Sequence, residues 1–135
     1  MVPNELGDDA LVLALEAAEL ENGQFRHREH VRAAYLYLAR HGDFAEAAGR
    51  FRRVLRRFAA AHGAAERYHE TVTWAYLALI NERMCRASCD SSSEFLHRYP
   101  ELLDGSALLS RYYDVDALVR SSHARQVFVL PERQG

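Results

Sequence analysis

The stretch AERYHETVTWAYLALINERMCR, residues 65–86, decides the fold because it is the most apolar long segment of the chain. Its apolar side chains recur at helical spacing instead of alternating with polar ones. They are Val72, Trp74, Tyr76, Leu77, Leu79 and Ile80. The pattern predicts one long helix over residues 65–86.

Three further long segments carry the start and stop signals of helices. Asp8 or Asp9 is a suitable N-cap for the first, which should end at the Asn-Gly pair of residues 22–23. The second covers about 28–40, and the third covers 43–63 between a capping-box pattern and a glycine. With 65–86, these segments predict four main helices.

The rest of the chain predicts shorter elements. Ser91 and Glu94 form a capping-box pattern for a short helix that ends before Pro100. One or two short helices should follow in residues 100–120, and residues 127–131 should pack as an extended strap. We therefore expect an all-α, single-domain helical bundle over residues 1–135, with four main helices plus short C-terminal helices.

Composition restricts the class of protein. The 135 residues carry a net charge of −2, which argues against a generally basic nucleic-acid binder. The arginines of residues 50–57 interleave with apolar positions, as on the wet side of an amphipathic helix, so no nucleic acid is expected. No run approaches 18 apolar residues, which predicts no membrane span. The first nine residues lack a signal-peptide pattern, and two cysteines form no disulfide framework, so we expect a cytoplasmic protein.

Two histidine clusters lie where a buried helix face should be apolar. FRHREHV, residues 25–31, contains His27 and His30, which three-residue spacing places on one helix face. ERYHETVTW, residues 66–74, contains Glu66 and His69 at the same spacing, a Glu-x-x-His element used in di-metal helix bundles. If helices two and four run roughly parallel, these clusters should converge.

These residue types favour a metal centre. We expect His27, His30 and His69 to ligate one divalent transition metal, with Glu16 completing the shell or orienting a ligand. A buried Glu16 would in any case need a cation or a strong hydrogen-bond donor beside it. Two histidines with a carboxylate are typical of non-haem iron, so Fe or Cu is favoured, and three histidines also suit Zn.

The chemistry predicted for this centre is redox conversion of a small-molecule substrate by a metal-dependent enzyme. Glu70 or Tyr68 is the acid/base candidate, and the pocket walls are expected to include Thr71, Thr73, Trp74 and Tyr76. Three alternatives stay open: a non-enzymatic binding or interaction module with structural histidines, a Zn-dependent catalyst, and a metal-free acid/base catalyst.

The two clusters also carry a family resemblance. The pattern Phe25-x-His27-x-x-His30 followed by Tyr68-His69-Glu70-Thr71 and then Trp74 resembles a group of small bacterial helical proteins without an assigned activity. The likeness runs from Glu16 to about Ile80 and, more weakly, over residues 128–131. It implies a stand-alone domain, and the residues to which it points are Glu16, His27, His30, His69, Glu70 and Thr71.

Overall fold

The computed structural model describes residues 6–132, except for the side chain of Asn22. The absence of a signal peptide was predicted from residues 1–9, and residues 1–5 of that segment lie outside this range. The helices are α1 (Asp8–Glu16), α2 (His27–His41), α3 (Phe44–Ala61), α4 (Glu70–Arg86), α5 (Ser92–Arg98), α6 (Val115–Arg120) and α7 (Ser122–Gln126). Short 3-10 helices cover Asn22–Gln24, Ala65–Arg67, Pro100–Leu103 and Leu109–Arg111. The described residues form no strand, which confirms the all-α class.

Two predicted N-caps are confirmed. The Asp43 carboxylate accepts a hydrogen bond from the Glu46 backbone N–H at 3.0 Å, at the start of α3. The Ser91 hydroxyl accepts one from the Glu94 N–H at 3.1 Å, at the start of α5. Each bond satisfies a backbone donor that has no partner within its own helix.

Helix α1 is shorter than predicted, because it ends at Glu16 and not near residue 22. Ala18 adopts a positive φ of 55°, and its neighbour Glu19 donates its backbone N–H to the Ala14 carbonyl at 2.9 Å. This left-handed turn redirects the chain, and Leu20 enters the core with 2% of its surface exposed. Burial of that leucine offsets the cost of a left-handed alanine.

Helix α2 lies at the centre of the bundle and contacts α1, α3, α4 and α5. Its buried positions run continuously from Ala33 to Leu38, and they pack on apolar faces of the surrounding helices. The buried partners include Leu11 and Leu15 of α1, Phe51 and Phe58 of α3, and Leu77 and Ile80 of α4. None of the helices in residues 6–132 is both long and apolar enough to cross a bilayer.

The start of α4 differs from the prediction. The helix begins at Glu70, while residues 65–67 form a 3-10 turn and His69 is the N-cap in an extended conformation. His69 Nδ1 accepts a hydrogen bond from the Val72 N–H at 3.2 Å. The prediction that Glu66 and His69 share a helix face is therefore wrong, and Glu66 is exposed.

The C-terminal segment is tied to this same turn. His69 Nε2 donates to the Leu118 carbonyl of α6 at 2.9 Å. The Thr71 hydroxyl lies 2.7 Å from the Ala124 carbonyl and 2.9 Å from that of Val127, and it accepts from the Val129 N–H at 3.1 Å. Residues 127–132 have no regular secondary structure, in agreement with the predicted strap.

Thr71→Val should loosen the strap. The substitution keeps the size of the side chain but leaves the Val129 N–H and a carbonyl without their partner, which costs about 1–3 kcal/mol. We expect a matching loss in the free energy of unfolding measured with urea, and faster amide exchange in residues 127–130. Thr71→Ser keeps the hydroxyl and should retain slow exchange. Equal exchange in the wild type and Thr71→Val would contradict this role.

Candidate functional site

His30 lies in the first turns of α2 and is fixed by an aromatic stack. Phe25, one residue before the N-cap, stacks on its ring with centroids 4.0 Å apart and planes inclined by 27°. This is the hydrophobic-staple position pair, in which the residue before the N-cap packs on the fourth helical residue. Glu29 accepts a hydrogen bond from the Arg26 N–H at 2.9 Å, which further defines the start of the helix.

Two cavities meet at His30. The first cavity, of about 320 Å³, lies between α2, α3 and α4. The second cavity, of about 330 Å³, lies between the end of α3 and the start of α4. The residues that line both are His30, Leu55, Val72 and Thr73. The imidazole thus forms part of a wall shared by two mostly apolar spaces.

The His30 imidazole has no hydrogen-bond partner within residues 6–132, although protein atoms enclose most of it. Loss of solvation and, to a smaller extent, the nearby charge of His27 together lower its pKa to about 4. At neutral pH the ring is therefore uncharged and offers one N–H donor and one nitrogen lone pair. The half-buried ring therefore has a donor and an acceptor that no protein group within residues 6–132 occupies.

His27 lines the first cavity but is anchored elsewhere. Its Nε2 lies 2.7 Å from the Leu102 carbonyl, and since a carbonyl only accepts, Nε2 donates. Its ring edge contacts Tyr76 at 5.1 Å between centroids, and the Tyr76 hydroxyl donates to the Gly105 carbonyl at 3.0 Å. Both side chains hold the 100–105 segment over the cavity, and His27 keeps the lone pair on Nδ1.

His69 lines the second cavity together with His30, but both of its ring nitrogens are engaged. Nδ1 caps α4 by accepting from Val72, and Nε2 donates to Leu118. Neither nitrogen has a lone pair left for a metal. A metal on His69 would have to displace the helix cap.

Glu16 is separate from the histidines. It is exposed, so the condition of burial under which a cation or strong donor was expected is not met, although it accepts a hydrogen bond of 2.6 Å from the Tyr37 hydroxyl. Tyr37 lies two helical turns, about 10 Å, beyond His30 along α2. Burial and this hydrogen bond raise the pKa of Tyr37. Within residues 6–132 no three His, Cys, Asp or Glu side chains are grouped as a metal shell, so the predicted four-ligand centre does not fit this arrangement.

Glu70 and Tyr68 form a linked pair. Arg52 Nε donates to both Glu70 carboxylate oxygens, at 2.7 and 3.0 Å, and the Tyr68 hydroxyl donates to one of them at 2.7 Å. Burial would raise the pKa of Glu70, but the hydrogen bonds from Arg52 and Tyr68 outweigh it and the pKa is lowered. Burial and the adjacent carboxylate raise the pKa of Tyr68. Tyr68 lines the second cavity, whereas Glu70 lines neither.

The predicted pocket residues separate into two groups. Thr73 lines both cavities and Tyr76 lines the first. Thr71 is fully buried under the C-terminal strap, and Trp74 borders a different groove with Tyr113 and Phe128. Residues three apart share a side of the helix, so Thr73 and Tyr76 face the first cavity while Thr71 and Trp74 face away from it.

Sequence reasoning missed Arg67 as a pocket residue. It lines the second cavity from the 3-10 turn before α4 and is exposed to solvent. Nothing in its sequence context distinguishes it from the other arginines. Only the turn that was predicted as helix places it at the cavity.

Comparisons with protein-family models, with curated proteins and with solved structures found no match. The resemblance to small bacterial helical proteins therefore stays a prediction. The candidate site depends on the geometry around His30 alone.

Protonation of His30 should make the fold acid-sensitive. The unfolded chain binds this proton near pH 6.5 and the folded chain only near 4, so the unfolded state holds more protons in between. The free energy of unfolding should fall by about 3 kcal/mol as the pH drops from about 6.5 to about 4. His30→Phe should lack this component in urea titrations, whereas His97→Gln, at an exposed position, should keep it. An NMR titration of His30 centred near 6.5 would contradict the prediction.

Proposed function

We propose that this protein binds a small, mostly apolar molecule beside His30, and that the neutral imidazole forms a hydrogen bond with its polar group. The observation that carries the proposal is the His30 ring, which is enclosed, has no hydrogen-bond partner in residues 6–132 and faces two cavities. A ring nitrogen that no protein group occupies at a cavity wall is open to a hydrogen bond from a ligand in that cavity.

The cavity walls favour an apolar ligand. The first cavity is lined by Val31, Phe51, Leu77 and Ile80 among others, and the second by Phe25 and Phe58. Each volume, about 320 and 330 Å³, lies at the lower end of the range for small-molecule sites. A ligand that fills one cavity would displace water from apolar surface and orient itself through one or two polar contacts.

Binding is favoured over acid/base catalysis by His30. A general base works best with a pKa near the operating pH, whereas the pKa of His30 is lowered to about 4. Glu70, the other candidate, is held by Arg52 and lines neither cavity. Both groups are therefore better suited to structure and recognition than to proton transfer in the resting protein.

The test is a titration with 1-octanol, followed by amide chemical shifts. We expect saturable shifts centred on residues 30, 55, 72 and 73, which line both cavities. His30→Phe retains an aromatic stack on Phe25 but removes the hydrogen bond, and should weaken binding about fivefold, equivalent to roughly 1 kcal/mol.

A cavity-filling variant supplies the control. Val72→Phe places extra volume in the shared wall and should abolish the shifts, whereas Val119→Phe adds the same volume at a position that is 49% exposed and should not. Non-saturable shifts, or equal binding by Val72→Phe and the wild type, would refute the proposal.

A metal-dependent oxidoreductase is the second candidate, and one observation favours it. The Nε2–H of His27 donates to the Leu102 carbonyl, and metal-bound histidines commonly orient themselves through such a bond to their second nitrogen. His27 Nδ1 and the neutral His30 would supply two nitrogen ligands for Fe, Cu or Zn. Exogenous ligands would have to complete the shell, since His69 and Glu16 are engaged elsewhere.

Metal linkage distinguishes this candidate from a metal-free site. A metal that binds only the folded state should stabilise it by about 2.7 kcal/mol at a hundredfold excess over its dissociation constant. If the protein is a metal-dependent oxidoreductase, Fe(II), Cu(II) or Zn(II) should raise the Tm of tag-free protein. His27→Ala and His30→Ala should abolish this increase, whereas His97→Ala, at an exposed position, should keep it. An unchanged Tm with all three metals would exclude the candidate.

A further inference from the structure

We infer that the second cavity selects apolar monocarboxylates, with the acid group bound by Arg67 at the rim and the apolar body lying against Phe25, Phe58 and His30. The inference rests on the proposed function and names its ligand class. The polar groups that line this cavity carry the inference.

Arg67 is a cation without an anion. It lines the second cavity and is exposed, and its side chain forms no ion pair or hydrogen bond within residues 6–132. Two neighbouring arginines are engaged: Arg52 binds Glu70, and Arg56 lies over the Tyr68 ring, 5.3 Å from its centroid. Arg67 is thus the guanidinium at this rim that is left for a ligand.

The other polar side chains of the second cavity are already satisfied. The Tyr68 hydroxyl donates to Glu70 and also interacts with Thr73. His69 uses both ring nitrogens in bonds to the backbone. The remaining recognition groups are His30 at the apolar wall and Arg67 at the solvent side.

This arrangement fits one negative charge at one end of an apolar molecule. A guanidinium offers paired N–H donors that match the two oxygens of a carboxylate. Arg67 is the only arginine or lysine that lines this cavity within residues 6–132, so a dianion would meet one guanidinium there and would be repelled by the Glu70 carboxylate behind Tyr68. A cationic ligand would meet Arg67 itself. An apolar monocarboxylate therefore matches both the walls and the rim.

The experiment compares octanoate with 1-octanol, which share an eight-carbon chain and differ in charge. Dissociation constants are measured at about pH 7 for the wild type, Arg67→Gln and Arg53→Gln. Arg53 is an equally exposed arginine on α3 that lines neither cavity, so its variant controls for net charge.

We expect octanoate to bind the wild type more tightly than 1-octanol, and Arg67→Gln to weaken octanoate alone by about fivefold, as for a partly screened ion pair. Arg53→Gln should leave both affinities unchanged, and added salt should weaken only octanoate. If 1-octanol binds as tightly as octanoate, or Arg67→Gln leaves octanoate unaffected, the carboxylate inference fails while the proposed function stands. If neither compound binds, both fail.

Discussion

The first turn of α4 is the constraint on which the rest of the structure depends. A helix start leaves backbone N–H groups without partners, and here the His69 imidazole satisfies one of them by accepting from Val72. The opposite nitrogen of that ring and the Thr71 hydroxyl bind the C-terminal segment through Leu118, Ala124 and the strap. One turn thus caps α4 and attaches the segment between residues 118 and 129.

These hydrogen bonds determine which polar groups at the site can still bind a ligand. Because His69 and His27 donate to backbone carbonyls and Glu70 is bound by Arg52, the polar groups that looked catalytic mostly hold the bundle together. His30 is different, since its ring stacks on Phe25, forms no hydrogen bond within residues 6–132 and lines both cavities. The balance of engaged and unengaged groups favours recognition of an apolar ligand, with Arg67 supplying charge at the rim.

The fold was largely predictable because its signals are local. The caps at Asp43 and Ser91, and the apolar spacing of α3 and α4, reflect interactions between residues a few positions apart. The cap predicted at Asp8 or Asp9 is wrong, because the N-cap of α1 is Gly7 and makes no side-chain bond. The two errors in helix bounds arose where tertiary contacts outweighed local preference. Burial of Leu20 accompanies the early end of α1, and a histidine cap, a rare N-terminal signal, delays the start of α4.

The sequence by itself determined the all-α class and the placement of most helices, because periodicity and capping are encoded over a few residues. Only the tertiary structure decided which histidine is available to a ligand. Hydrogen bonds to Leu102 and Leu118 span 75 and 49 residues, and no local pattern encodes the position of those carbonyls. The roles of His27, His30 and His69 therefore differ although their residue type is the same.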